Sequence, residues 1–303
     1  MHKVSVVIPT IGRRDELRRT LESLARQSRL PDQVVIIDEG GEAKPLASEL
    51  PQLAVTVLTS PRGSASAKRN QGVQAVRGEI NLIAFMDDDI VVEPQALEVM
   101  MNFWESSPPE LAGVGFNLVN HPPLFASRLK SLRLAAKLAL YDSRGGAVLC
   151  SGVHTLIGFV SRTQYVQWLP STAVVYRRQI LAEYSFDEWY QGYSYLEDLD
   201  FSYGISRRFE LAVLAEARVW HYPSRIGRTN AYLFGKKEVV NRLYFVRKHR
   251  ELSPALCCLA VVVRALLSLF QGITAFQAGQ FRRAWGNLVA LFSSLTHGLK
   301  PVA

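Results

Sequence analysis

The sequence predicts an α/β protein built on an open, mostly parallel central sheet with helices on its faces. Three observations predict it. Short β-rich apolar runs alternate with segments of helical periodicity over roughly the first 120 residues. Several of those runs are apolar throughout, as strands buried on both faces of a parallel sheet must be. Polar and acidic residues gather where the runs end, and in open α/β sheets ligands sit outside the carboxyl ends of the strands.

The elements follow in order. Val4–Ile8 is the first strand, and Leu17, Thr20, Leu21 and Leu24 recur behind it at helical spacing, which makes one βα unit. Val34–Ile37 leads into Asp38, Glu39, Gly40 and Gly41, and Val55–Leu58 leads into Ser60, Pro61, Arg62 and Gly63. A helix from about Ser64 to Val76 comes next. Ile80–Met86 is almost uniformly apolar and stops at Asp87, Asp88 and Asp89, with Pro94 placed to open another helix. Further strands are expected at Ala173–Tyr176 and Leu211–Leu214. The alternation is Rossmann-like, but no GxGxxG follows the first strand, which sets aside a nicotinamide dehydrogenase.

Composition bounds the function classes. With 48% apolar and 20% charged residues, 20 Gly and 14 Pro, the chain can bury a sizeable core, so disorder, collagen and a disulfide scaffold are excluded. Cys150, Cys257 and Cys258 form no CxxC pair, so no zinc site is expected and a reducing compartment is. The start of the chain, broken early by Pro9 and then by charges, does not resemble a secretory signal, and a cytoplasmic body is expected. The net charge of +8 is unevenly spread. Residues 225–303 hold 12 Lys and Arg against Glu238 and Glu251, whereas the preceding residues hold 23 basic and 25 acidic side chains. That distribution argues against a nucleic-acid partner and for attachment of the tail to an anionic membrane surface.

Two acidic clusters carry the chemistry. Three consecutive aspartates repel one another and call for a counter-charge. In extended geometry Asp87 and Asp89 point one way and Asp88 the other. Carboxylate oxygens with no Cys or His beside them suit a hard cation, Mg²⁺ or Mn²⁺, held together with substrate phosphates. The turn at Arg62 and Gly63, with Ser64, Ser66, Lys68 and Arg69 at a helix start, offers backbone N–H groups and cations to a diphosphate. The second cluster, Glu197, Asp198 and Asp200, lies among Trp189, Tyr190, Tyr193, Tyr195, Phe201 and Tyr203. Aromatic rings of this kind face sugars or fill cores.

The succession VSVVIPT, VVIIDEGG and PRGSASAKRNQGVQAVRGEINLIAFMDDDI resembles the nucleotide-binding half of glycosyltransferase family 2, which has the GT-A fold. LPSTAVVYRRQIL, FDEWYQGY, YLEDLDFSYGISRR and VWHYPS resemble its acceptor half, so the resemblance covers about residues 3–224. It implies a GT-A domain over 1–224, divided into a nucleotide-sugar half (1–120) and an acceptor half (121–224), followed by a helical tail (225–303). It also implies an inverting transfer from a nucleotide-diphosphate sugar to a glycan or lipid-linked acceptor, dependent on a divalent metal.

Residue by residue, the resemblance implies that Pro9 and Thr10 lie beside the nucleotide and that Asp38 or Glu39 contacts its base or ribose. Glu39 stands where the family usually has a second aspartate. Arg69 and Asn70 match an Ala-Arg-Asn element in which Lys68 replaces a small residue. Asp87 and Asp88 are assigned to the donor, Asp87 and Asp89 to the metal-binding DxD element, and His221 to the metal or diphosphate. Asp198 is the implied general base. A sugar hydroxyl is a weak nucleophile, and an oriented carboxylate that takes its proton accelerates attack by roughly 10²–10⁴-fold. His154 is a candidate for lining the acceptor cleft. A nucleotidyltransferase would leave Asp198 without a task, and a non-catalytic membrane tether would not need the acids.

Two segments point to a membrane. Leu124–Tyr141 carries Lys130, Arg133 and Lys137 on one helical side, as an interfacial helix or a lid over the acceptor would. Residues 255–276 are long enough to cross a bilayer core of about 30 Å. Eleven of them are Leu, Ile, Val or Phe, each contributing about −0.3 to −0.6 kcal/mol, against about +2.5 to +3.5 kcal/mol for Arg264. The near-cancellation favours a re-entrant or interfacial helix on the cytoplasmic face, with Lys236, Lys237, Arg242, Arg247, Lys248 and Arg250 toward the headgroups.

Overall fold

The computed structural model describes residues 2–61, 63–121, 137–224, 226, 229–274 and 276–302. Most of the basic stretch at Leu124–Tyr141, including Lys130 and Arg133, lies outside the described residues, as does Arg62. The elements run β1 (Val4–Thr10), α1 (Arg14–Ala25), β2 (Gln33–Asp38), α2 (Ala43–Ser48), β3 (Val55–Thr59), α3 (Ala65–Gln74), β4 (Leu82–Met86), β5 (Ile90–Val92), α4 (Ala96–Glu105) and β6 (Leu111–Leu118). They continue with β7 (Gln164–Val166), β8 (Ala173–Arg177), α5 (Arg178–Glu183), α6 (Glu197–Ser206), β9 (Glu210–His221), α7 (Ala231–Lys248), α8 (Pro254–Thr274) and α9 (Ala278–His297).

Among the described residues the strands form one nine-stranded sheet in the order β3-β2-β1-β4-β8-β6-β9-β5, with β7 also paired to β9. The β3-β2-β1-β4 half is all parallel. β8 runs antiparallel between β4 and β6, and β6 and β9 are again parallel. Successive side chains of a strand point to opposite faces, and here both faces are covered. Val4, Val6, Ile8, Val34 and Ile36 pack in one core with Leu17, Leu21 and Leu24 of α1 and Met100 and Trp104 of α4. Val7, Val35 and Ile37 pack in the other with Ile180, Phe186 and Phe201. This is why the strands read as unbroken apolar runs, and why β3, at the edge, is only half-buried.

A third core joins residues 168–203 to the C-terminal helices. Trp168, Tyr190, Leu199 and Tyr203 pack against Val239, Leu243 and Phe245 of α7, and Cys257 and Val261 of α8 complete it. Three of the tail cations expected at headgroups therefore point into the protein. Lys237 is 1% exposed and donates to the Gln191 carbonyl, Arg242 donates to the Gly152 carbonyl, and Lys248 binds Asp187 and Asp200. The helix they share is packed against the body, so one of its faces is closed to water and lipid alike. Outward-facing apolar side chains instead lie on α8 and α9, including Leu266, Phe270, Ile273, Phe292 and Leu295.

One close approach sets the position of the residues that follow β3. Gly72 of α3 lies against β1 so tightly that an added Cβ would stand 2.3 Å from Val7 Cγ1. Gly72→Ala is expected to lower stability by about 1–3 kcal/mol, read as a reduced midpoint in guanidinium denaturation, because the buried Val7 has little room to yield.

Candidate active site

The parallel strands end side by side, and their ends assemble the site. β1 and β2 pair through Pro9 with Ile37 and Thr10 with Asp38, while β4 delivers Asp87 at its own end. β5 reverses after the acidic triplet and pairs antiparallel with the end of β9, setting Ile90 opposite His221. That pairing brings a histidine from far along the chain to the aspartates. Ligand atoms of Asp87, Asp89 and His221 lie within 4.8 Å of one another. Asp89 Oδ1 is buried 3.2 Å from His221 Nε2, and its other oxygen accepts from the Ser224 N–H at 2.9 Å. Two carboxylates and an imidazole in this arrangement fit a divalent cation such as Mn²⁺ or Mg²⁺.

Sequence reasoning missed the residues that hold His221. Asn120 accepts from the His221 N–H and donates to its carbonyl, and His121 Nε2 lies 3.3 Å from His221 Nδ1. Burial, then the neighbouring His221, hold the His121 pKa below its ordinary value, so His121 stays neutral and can share a hydrogen bond with its neighbour. A polar stripe on α1 and just beyond its end was also missed. The Thr20 hydroxyl lies 2.8 Å from the carbonyls of both Asp88 and Ile90, Ser23 accepts from the Val92 N–H, and Gln27 bonds the backbone of Glu93 and Leu97. Spacings of three and four residues in an otherwise apolar helix face were the available signal.

Asp88 lies outside this group of ligand atoms, in the turn that follows the end of β4 at Met86. It is 2% exposed and accepts from Thr10 Oγ1 at 2.6 Å and Arg13 Nη1 at 2.8 Å. Burial pushes it up to about 6 against the opposing pull of Arg13 and Thr10. Thr10 and Asp88, both expected at the donor, are thus partners of one another beneath the strand ends. Lys68 is likewise buried, in an ion pair with Glu39 and 3.4 Å from the Thr10 carbonyl.

Two residues expected at the donor are hydrogen-bonded within the protein. Asp38 is 2% exposed, and its two oxygens accept from the Gly40 and Ala43 N–H groups, so it stabilises the turn into α2, leaving Glu39 as the more open acid. Asn70 spends its amide on the Phe186 carbonyl, the Phe186 N–H and Glu188, which ties α3 to the segment before the second acidic cluster. Both side chains are short and polar, and each satisfies nearby backbone groups that would otherwise be unpaired. His154 packs edge-on against Trp168, and burial, then Arg242, lower it to about 3.

Arg69 joins the two acidic clusters. Its side chain is 5% exposed, Nη2 reaches Asp87 Oδ1 at 3.0 Å, and Nη1 reaches Glu197 Oε1 at 2.9 Å. Asp198 follows Glu197 at the start of α6, where its Oδ1 accepts from the Leu199 N–H. Burial raises the pKa of both Glu197 and Asp198. Asp198 raises Glu197 further and Arg69 opposes it, so the pair retains a proton above the usual carboxylate range.

Comparisons with known proteins identify the family and the fold. A model described as glycosyl transferase family 2 matches residues 5–161. The chain belongs to glycosyltransferase family 2. Over 104 residues it is 35% identical to the succinoglycan biosynthesis protein ExoW of Rhizobium meliloti, which is 32% of each chain. The matched segments cover about a third of such relatives. The fold matches S. aureus TarS 1-349 with a TM-score of 0.57 at 15% identity, over 97% of this chain and 81% of that one. It also matches the mannosyltransferase PcManGT from Pyrobaculum calidifontis, solved with GDP-Man and Mn²⁺, with a TM-score of 0.56 at 13% identity, over 97% and 87%. The family's GT-A architecture accounts for the parallel half-sheet and the acids at its strand ends.

The raised pair carries a stability consequence. An acid whose folded pKa lies above its unfolded value stabilises the fold below about pH 4, and that contribution is lost as pH rises through the folded pKa. Asp198→Asn removes the loss. Its melting temperature is expected to exceed that of the wild type by roughly 2–4 °C above neutrality, with the difference shrinking toward pH 4 in thermal melts.

Proposed function

We propose that the chain is an inverting glycosyltransferase that moves a hexosyl or deoxyhexosyl group from a nucleotide-diphosphate sugar to a hydroxyl of a glycan or lipid-linked acceptor. The observation that carries this reading is the Arg69 bridge, which holds Asp87 of one acidic cluster and Glu197, the neighbour of Asp198, on a single guanidinium. A donor-binding end and an acceptor-activating end thereby face one cleft. The matched relative in succinoglycan biosynthesis supports a place in cell-surface polysaccharide or glycolipid synthesis.

The chemistry asked of the residues is one displacement. Asp198 accepts the proton of the acceptor hydroxyl as its oxygen bonds to the anomeric carbon. The bond from that carbon to the diphosphate oxygen breaks, and its electron pair leaves with the nucleotide diphosphate. Attack opposite the leaving group inverts the anomeric centre, and a single base suffices. Burial holds the Asp198 pKa above its ordinary value, and a more basic carboxylate is a better proton acceptor. Asp87, Asp89 and His221 would hold Mg²⁺ or Mn²⁺, which supplies positive charge for the departing diphosphate. Glu39 and Lys68, at the end of β2 and the start of α3, are assigned to the nucleoside side of the donor.

The same reading puts the enzyme on the cytoplasmic face of a membrane. α8 is long and apolar enough to cross a bilayer, yet Cys257, Ala260, Val261, Ala265, Ser268 and Gly272 are buried against protein. Its opposite side exposes Leu266, Phe270 and Ile273, and α9 exposes Phe292 and Leu295. A helix with one face packed and one face bare suits the plane of the interface better than a crossing. No Asp or Glu follows Glu251, so the exposed surface carries nothing that repels an anionic headgroup.

Asp198→Asn is expected to lower turnover by at least about 10²-fold while leaving the affinity for the nucleotide diphosphate nearly intact; unchanged turnover would remove Asp198 from the role. Asp89→Ala is expected to lose the part of donor affinity that depends on added Mn²⁺, measured by calorimetry with and without the ion. The double variant Phe270→Glu/Phe292→Glu is expected to stay in the supernatant when wild-type protein sediments with phosphatidylglycerol vesicles.

A further inference from the structure

We infer that α7 is a positioning element of the acceptor site: one stripe of its side chains holds the irregular segment 187–196 and the first turn of α6, which present Glu197 and Asp198. The inference rests on the reading of Asp198 as the base, and it makes part of the basic tail a working component of the catalytic half.

The stripe is Lys237, Asn241, Tyr244 and Lys248, spaced four, three and four residues apart, which places all four on one side of the helix. Each reaches the same segment. Lys237 Nζ donates to the Gln191 carbonyl at 2.8 Å, and Asn241 Nδ2 donates to the Tyr195 carbonyl at 2.6 Å. The Tyr244 hydroxyl and Lys248 Nζ both donate to Asp187 Oδ2 at 2.8 Å. Lys248 also binds Asp200 Oδ2 at 2.6 Å, and His249 Nε2 lies 2.8 Å from the other oxygen of Asp200, two residues beyond the base. Tyr244 stacks flat on Trp189 with ring centroids 3.8 Å apart.

The held segment has no regular secondary structure ahead of α6. Residues 187–196 form turns and bends, and Leu196, directly before the acidic pair, takes a left-handed φ of 76°, which a branched side chain adopts only under constraint. α6 begins there without a side-chain cap. From the opposite side Asn70 clamps Phe186 and Glu188 to α3. Between α3 and α7, the backbone leading into Asp198 is gripped at both flanks. A buried lysine such as Lys237 costs stability that an apolar side chain would not, and the return on that cost is a placed carbonyl, that of Gln191, in the irregular chain leading to the base. A misplacement of about 1 Å at a reacting group costs on the order of 10²-fold in rate.

The test uses the full chain with whichever nucleotide sugar it transfers. Asn241→Ala and Tyr244→Phe are expected to lower kcat by roughly 10–100-fold and 3–10-fold. The donor KM and the affinity for nucleotide diphosphate with Mn²⁺ are expected to stay within about threefold. Lys248→Met is expected to behave like Asn241→Ala, and Lys248→Arg to recover most of the loss. If Asn241→Ala does not fold, Tyr244→Phe, which removes a single hydroxyl, decides. Folded variants with kcat within about twofold of wild type, or with kcat and donor affinity falling together, overturn the inference. Full turnover in Asp198→Asn would instead overturn the reading beneath it, so the two failures are distinguishable.

Discussion

The structure depends on a buried guanidinium. Arg69 brings a full positive charge into a site that is almost closed to water, which is unfavourable unless the charge is paired. Its partners, Asp87 and Glu197, come from opposite halves of the chain, and Asp198 adds a further negative charge beside them. The cation offsets the repulsion among these acids, and the acids offset its desolvation. Neither cluster could be gathered alone at the same cost. Arg69 also lies 5.4 Å from the centre of the Phe186 ring, so the bridge is seated on the core and not only on charge.

Bringing Arg69 there reshapes the helix that carries it. α3 buries Ser66, Lys68, Arg69 and Gly72, a face that no hydrophobic pattern would select. Gly72 lets the helix settle onto β1, and Ser64 caps its start by accepting from the Ala67 N–H. α1 works similarly: its apolar face builds the core while Thr20 bonds the carbonyls of Asp88 and Ile90 and Ser23 bonds the Val92 N–H. In both helices, polar groups turned inward spend packing energy on the placement of a loop.

The C-terminal helices divide two tasks between their faces. Glu238 on α7 binds Arg283 of α9 and lies 3.4 Å from Arg264 of α8, so the arginine that argued against membrane insertion is neutralised within the protein. α7 and α9 approach until their backbones touch, since a Cβ on Gly235 or Gly286 would stand 2.2 Å from a carbonyl oxygen of the other helix. The bundle therefore transmits its position directly to the body through α7, while the far sides of α8 and α9 remain apolar and bare.

Much of this was legible in the residues. Strands buried on both faces must be apolar at every position, so β1, β2 and β4 announced themselves, and the acids at their ends marked the ligand side of the sheet. The chain also disclosed the uneven distribution of positive charge and the family. What only the tertiary structure decided was the partner of each charged group. Whether Asp38 meets a ligand or two N–H groups, whether Lys237 faces water or a carbonyl, and that Asn120 and His121 stand behind His221 depend on which strand ends and helix faces meet after folding. Burial patterns are local and periodic, so sequence carries them; charge pairing acts between atoms a few ångströms apart that can be more than a hundred residues distant along the chain, so only the folded geometry can assign it.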